Sequence, residues 1–227
     1  MSAELPILGE GPGWVALAKP AGIPVFPPHG DPTGDCVLAR GVDLGIFDLR
    51  LDWPEGFAGG IVHRLDTPTS GQLIAATSLQ DLARLRALFA SGSLRKTYRF
   101  LTAREVLWDA HEVNVPIAHD PRRKDRMVVA RGASTPHRGR WYPARTSLRR
   151  IGPVPGFWMW EAVIETGVMH QIRVHAASVG LALAGDRIYG GGAPLPGLAP
   201  FLLHHLGLRG PWFEPPRCPL PAYWPSV

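Results

Sequence analysis

Cysteine is nearly missing: there are two in 227 residues, Cys36 and Cys218, far apart in the chain. That excludes a disulfide-stapled scaffold and any CxxC metal or redox motif, and it suits a reducing cytoplasm. No apolar run reaches the length of a membrane span, and Met1 to Gly13 has no basic stretch followed by an apolar one, so neither a transmembrane helix nor a secretory leader is expected. Lysine is scarce as well: 24 residues are Lys or Arg, and only Lys19, Lys96 and Lys124 are lysines. Arginine forks onto phosphates and stacks on bases, although a GC-rich genome produces the same bias for no structural reason. With 45% hydrophobic residues, 26 Gly and 24 Pro, the composition is that of a globular chain, not of a disordered, collagen-like or coiled-coil one. The length admits one large domain or two small ones.

What charge there is sits unevenly. The formal net charge is +5, and the stretch from Asp120 to Arg150 is crowded with arginine while the remainder is slightly acidic. A cationic segment on a neutral body suits a polyanion. A solvated loop with no partner would look the same.

Periodicity places strands at Trp14–Ala18, Ile61–Val62, Gln72–Ala76, Leu94–Thr102 and Phe157–Glu165, with a short helix near Val37–Leu44. The clearest helix is Ser78–Phe89: Ser78 caps it, Asp81 completes a capping box, Leu82, Leu85 and Phe89 form a stripe, and Gly92 ends it. A second helix, His170–Val179, has its apolar stripe at Ile172, Ala176 and Val179, which turns Arg173 toward another face. In the strand pieces, Lys96, Tyr98 and Phe100 share one face, while Trp158, Trp160, Ala162 and Ile164 form an apolar side. Without regular βαβα alternation, the fold class is α+β with a largely antiparallel sheet.

Two polar clusters interrupt these elements. His63-Arg64-Leu65-Asp66-Thr67-Pro68-Thr69-Ser70-Gly71 lies between apolar strand pieces; Glu165 to Arg173 joins a strand end to a helix start. Polar groups there are expensive unless satisfied. The first cluster reads either as an Asx or Ser/Thr turn or as a reaction centre, and Arg173 reads as a surface salt bridge of small worth.

Together the clusters resemble the signature of the RluA-type pseudouridine synthases. The HRLDxxTSG motif stands intact at His63 to Gly71. Lys19-Pro20-Ala21-Gly22 through Pro27 is similar to the family's opening KPxGxxVHP, Lys96-Thr97-Tyr98 to its KxY, and Ala144-Arg145-Thr146 to its AxT strand. Thr166-Gly167 with His170 to His175 is similar to TGRxHQIRVH, Gly185-Asp186 with Tyr189-Gly190 to GDxxYG, and Leu203-His204 to the later LH.

The resemblance implies the pseudouridine synthase catalytic fold, a mixed, mostly antiparallel β-sheet with flanking helices and a central cleft. It implies one catalytic domain over residues 1–227, with the basic segment 120–150 inside it and no S4-like RNA-binding domain ahead of Lys19. Asp66 would be the catalytic aspartate, Tyr98 the ring stacked on the target uracil, and Arg173 the cation paired with Asp66. Substrate contacts would come from His63, Arg64, Lys96 and Leu203, with Arg122, Arg123 and Lys124 on phosphates. The partner is a tRNA or rRNA stem-loop, no membrane is involved, and a monomer is the family's default.

The residue types suit that chemistry. Turning uridine into pseudouridine breaks C1′–N1 and rejoins the base through C5, a redox-neutral step needing neither cofactor nor metal. Asp66 must be ionised whether it adds to C1′ or removes a ribose proton, and a nearby guanidinium favours that form. Tyrosine offers a flat face for a flipped base and a hydroxyl near C5. Arg64 reads as a phosphate contact, as a filler of the gap left by the base, or as a structural ion pair; Leu203 reads first as core. The chain departs from the family at Phe26, Pro68, Val168 and Met169. Competing readings are weaker. His170 and His175 lie five apart, where HExxH needs four. A glycoside hydrolase pairing Asp66 with Glu161 or Glu165 leaves Tyr98 and the basic segment without a role. An RNA-binding protein that has lost the reaction would not need an intact Asp/Tyr/Arg set.

Overall fold

The computed structural model describes residues 4–193 and 200–225. Among them the strands are β1 (Ile7–Gly11), β2 (Trp14–Lys19), β3 (Ser70–Ala76), β4 (Arg95–Thr102), β5 (Ala110–Asn114), β6 (Ile117–His119), β7 (Met127–Val129), β8 (Arg138–Tyr142), β9 (Arg145–Val154), β10 (Phe157–Ile164) and β11 (Leu203–Arg209). The α-helices are α1 (Val37–Asp43), α2 (Leu79–Ala90) and α3 (Gln171–Ser178). The chain packs as two compact units, one of residues 1–94 with 204–220 and the other of 95–203 with 221–227. Few helices beside mixed sheets make the class α+β, as the sequence predicts.

In the first unit β2 pairs antiparallel with β1 and with β3, and β3 pairs parallel with β11. Strand β3 is buried along its whole length, which is why Gln72–Ala76 reads as an apolar run without alternation. Helix α2 starts where its cap requires: Ser78 Oγ accepts the Asp81 N–H at 3.1 Å, and Gly92 follows the helix at φ +71°, the left-handed cap that glycine adopts without penalty. Its buried stripe is Leu82, Leu85 and Leu88. Phe89, expected in that stripe, is only partly buried at the edge of the cluster formed with Ala16, Ile74, Leu208 and Phe213.

The second unit has an antiparallel sheet in the order β4-β10-β9-β5 and a three-stranded sheet in the order β7-β6-β8. Strand β10 runs in unbroken register against β4; against β9 the register shifts, Met159 facing Gly152 and Trp160 facing Arg150, so the extra residue belongs to β9. Trp160 is fully buried, while Trp158 is half-buried with the Arg150 guanidinium 5.2 Å from its ring centre. Helix α3 departs most from expectation. All of Gln171 to Ala176 is buried, Arg173 included, and the helix meets solvent only at its last residues, Ser178 above all, so no polar face sets off a stripe.

Leu82 is 1% exposed and Leu79, one turn earlier, is 43% exposed. Leu82→Ala is expected to cost about 2–5 kcal/mol of stability through lost burial and a residual cavity. Leu79→Ala should stay within roughly 0.5 kcal/mol. Urea unfolding of the two variants checks the difference; equal midpoints would contradict the packing.

Candidate active site

The first unit presents Asp66 on a turn that is tied down at both ends. The Asp66 carbonyl accepts the Thr69 N–H at 2.9 Å, and the Thr67 carbonyl accepts the Gly22 N–H at 2.8 Å. Lys19, at the end of β2 and 2% exposed, donates from Nζ to the carbonyls of Pro20 at 2.9 Å, Thr67 at 3.2 Å and Thr69 at 2.7 Å. Beyond the turn, Ser70 Oγ lies 2.9 Å from His204 Nδ1, and His204 Nε2 donates to the Cys218 carbonyl at 3.2 Å. Burial pulls His204 down to about 4, so this ring is neutral and Nδ1 accepts the serine hydroxyl. Gly71 has φ +126°, and a Cβ there would sit 2.2 Å from the His205 carbonyl oxygen, so no other residue fits the end of the motif. His63 anchors the start: Nε2 accepts the Ile74 N–H at 3.1 Å, and the ring stacks on Phe89 at 5.1 Å. Within this frame Asp66 is half-buried and Arg64 exposed.

The second unit carries the other named residues. Lys96 and Tyr98 share a face of β4, each 8% exposed. Lys96 Nζ donates to the Thr166 carbonyl at 3.3 Å, and burial lowers its pKa. Gln171 holds the loop before α3, accepting from Thr166 Oγ1 at 2.8 Å and the Val168 N–H at 3.2 Å while donating to the Arg145 carbonyl at 2.9 Å. His170 takes a left-handed backbone, φ 55°, an uncommon conformation for a residue other than glycine.

Arg173 is 4% exposed and forks onto Asp186, itself 1% exposed, with Nε–Oδ2 at 2.7 Å and Nη2–Oδ1 at 3.0 Å. Its guanidinium faces the rings of Phe201 at 4.3 Å and Tyr189 at 5.1 Å. Leu203 is buried at 5%. Arg122, Arg123 and Lys124 are exposed, and Arg123 pairs with Asp125 at 2.9 Å.

A family model described as RNA pseudouridylate synthase matches residues 13–178. The chain belongs to that family. It is the RluA-type group that the motifs resemble. An uncharacterized RNA pseudouridine synthase of Chloroflexus aurantiacus is 37% identical over 214 residues, which is 90% of this chain and 62% of the relative. The ribosomal large subunit pseudouridine synthase D of Zymomonas mobilis is 34% identical over 187 residues, 82% of this chain and 56% of the relative. The chain therefore spans less than two thirds of either relative's length. In fold it is similar to human RNA pseudouridylate synthase domain containing 1, with TM-score 0.74 and 19% identity, covering 93% of this chain and 80% of the other.

The structure corrects one point of the sequence reading. Arg173 is not a surface residue but half of a buried pair, and its fork is with Asp186. Glu161, the acid a glycosidase would need, is bonded by Arg99 and by Arg149 at 2.9 Å. Burial pushes its pKa upward, but those guanidinium hydrogen bonds outweigh it and leave the carboxyl below its ordinary value, the wrong direction for a general acid.

Sequence reasoning quoted Lys19, Asp186 and Tyr189 within motifs but gave them no role. The available signal was a lone lysine ahead of proline in an arginine-rich chain, and an acid in a motif that also holds tyrosine.

Removing one member of a buried pair leaves the other uncompensated. Asp186→Asn is expected to destabilise the protein by about 3–5 kcal/mol, whereas Asp125→Asn, in an exposed pair, should leave unfolding almost unchanged. Denaturant titration distinguishes them. Burial lowers the Lys19 ammonium from 10.5 to about 7, against the raising effect of Asp66. Between those values the unfolded chain keeps a proton that the folded chain has released, so stability rises as pH climbs through this window. In Lys19→Met that rise should disappear; parallel stability curves for variant and wild type from neutral to alkaline pH would show that Lys19 does not titrate there.

Proposed function

We propose that this chain isomerises uridine to pseudouridine in structured RNA, working as one catalytic domain and as a monomer in the cytoplasm. The intact HRLDxxTSG motif carries the reading, supported by the way Lys19, Ser70 and Gly71 fix the backbone around a half-buried Asp66. Asp66 is the carboxylate that acts at the ribose, either adding to C1′ or removing a ribose proton. The C1′–N1 bond breaks, the base turns, C1′–C5 forms, the C5 proton leaves and N1 gains one, so the product is an isomer and no redox partner is needed. Tyr98 stacks on the uracil, with its hydroxyl near the departing C5 proton. Arg173, held rigid by Asp186, is the guanidinium that the motif assigns as counter-charge to the catalytic carboxylate.

His63 holds the start of the turn from which Arg64 reaches toward substrate; Lys96 and Leu203 border the base. Arg122, Arg123 and Lys124 belong to the phosphate-binding surface. The RNA is an rRNA or tRNA stem-loop, and the relatives named for the ribosomal large subunit favour rRNA. The unbridged, buried Cys36 and Cys218 suit the cytoplasm. No helix among the described residues is long and apolar enough to cross a membrane.

Asp66→Asn keeps the shape and removes the charge. It is expected to abolish tritium release from RNA carrying 5-tritiated uridine while leaving RNA affinity within a few-fold. Turnover comparable to wild type would remove Asp66 from the reaction; a wild-type protein that binds RNA without releasing tritium would be a binding protein only.

A further inference from the structure

We propose that a groove within the second unit, walled by Arg122, Arg126 and Arg131, seats the sugar–phosphate backbone of an RNA strand. The proposal rests on the reading of the chain as an RNA-modifying enzyme and adds the place where the strand lies.

The groove has a volume of about 690 Å³ and runs between β7, the loop 131–136 and α3. That is within the range, roughly 300–1,000 Å³, of sites that take drug-sized ligands, and so has room for a nucleotide or two. Its floor is apolar: Met127, Val129, Val174 and Ala177. Its rim is cationic, with Asp120 the one acid in the lining. That carboxylate is already engaged, Oδ1 accepting the N–H groups of Arg122 at 2.9 Å and Arg123 at 3.0 Å. Its Oδ2 stands 3.8 Å from Arg126 Nε, beyond hydrogen-bond reach, and Arg126 Nε is buried without a hydrogen bond. The rim therefore keeps an excess of positive charge and a guanidinium with bonding capacity to spare.

The walls are built in advance. Thr135 Oγ1 accepts the Arg131 N–H at 2.9 Å and donates to the Gly132 carbonyl at 2.9 Å, which fixes the loop. Tyr189 Oη accepts the Met127 N–H at 2.9 Å and lies 3.0 Å from His170 Nδ1. The Arg126 guanidinium stands 5.9 Å from the Tyr189 ring centre.

The lining favours a backbone over a free nucleotide. It offers three guanidinia against one engaged carboxylate, and no side-chain amide of the kind that pairs with adenine's edge. Fork-shaped cations at the rim match phosphate oxygens. Among the exposed cations of this segment, the groove selects. Arg122 lines it; Arg123 is turned to Asp125, and Lys124 is not part of the lining.

Three variants with exposed changes separate a groove from a general cationic surface, with circular dichroism confirming the fold of each. Binding of a labelled RNA hairpin is measured across a salt series. Arg122→Gln with Arg131→Gln should weaken binding about tenfold or more and reduce the slope of log affinity against log salt by about 1.4–1.8, the release expected for two phosphates. Arg123→Gln with Lys124→Gln should change the slope by less than half of that. Ser178→Trp alters no charge but places an indole in the groove, and should reduce the slope as the Arg122/Arg131 pair does. Equal slopes for the two double variants, or a slope untouched by Ser178→Trp, overturn the groove. Tritium release is scored separately on the same RNA, so a protein that binds without isomerising defeats the enzymatic reading and leaves the groove result standing.

Discussion

A primary ammonium buried to 2% exposure must find acceptors for its protons, and Lys19 finds them in backbone rather than in a single side chain. Its three carbonyl partners belong to Pro20, just beyond β2, and to Thr67 and Thr69, within the motif turn. One side chain thereby joins the opening motif to the one that carries Asp66. The arrangement explains the residue type. An ammonium is compact and its donors rotate, so it fits among three oxygens converging from different directions, where a flat guanidinium does not. Lys96 repeats the solution: its ammonium meets the Thr166 carbonyl, and a Cβ on Gly167 would lie only 3.2 Å from Nζ. Two of the three lysines in an arginine-rich chain thus stand where a small buried cation is required.

Arg173 is the complementary case. Burying a guanidinium is costly, and the cost is offset only when geometry is good and the remaining donors are met. Asp186 supplies both oxygens, and the rings of Phe201 and Tyr189 cover the cation. A charge held in this way cannot swing to a new partner, so whatever it stabilises must come to it. That is the property a fixed counter-charge for a reacting carboxylate needs: no reorganisation at the moment of reaction.

The parts of the fold legible in the sequence are those with local causes. Helix α2 announces itself by Ser78, Asp81 and Gly92; β2, β4 and β10 by apolar runs or alternation. Phe89 was misplaced because it and Leu88 are both apolar, and only the packing of the helix decides which turns inward. Trp158 shares its side of β10 with Trp160, as Arg150 stands over both rings, but it is only half-buried. Strands β5 to β8 are not legible because they are short, β6 and β7 having three residues each; β8 alternates arginine with small and aromatic residues, which reads as a charged loop. Helix α3 defeats periodicity altogether, since Gln171, Arg173 and His175 are buried by virtue of partners. Thr146 Oγ1 and the Val115 carbonyl meet the two nitrogens of His175, and both lie far away in sequence. The roles proposed for Asp66, Tyr98 and Arg173 come from motif alone; the sequence does not single out Asp186, because its partner is set by tertiary structure.

The departures from the family's motif acquire a physical sense in the second unit. Where the motif has arginine after Thr-Gly, this chain has Val168, and Val168 packs against the cluster of Ile117, Met127, Val129, Ala144 and Val174. Three of those five, Met127, Val129 and Val174, also form the floor of the arginine-walled groove. An arginine at 168 would have to place its charge at the edge of that apolar cluster or turn away from it. With valine, the cluster is completed instead, and Gln171 still takes the Val168 N–H, so the loop before α3 keeps its shape without the cation. Positive charge is then concentrated on Arg122, Arg126 and Arg131 above the same floor. Substitution at 168 and the groove are thus two aspects of one packing arrangement, in which an apolar base sets the spacing of the cations that stand on it.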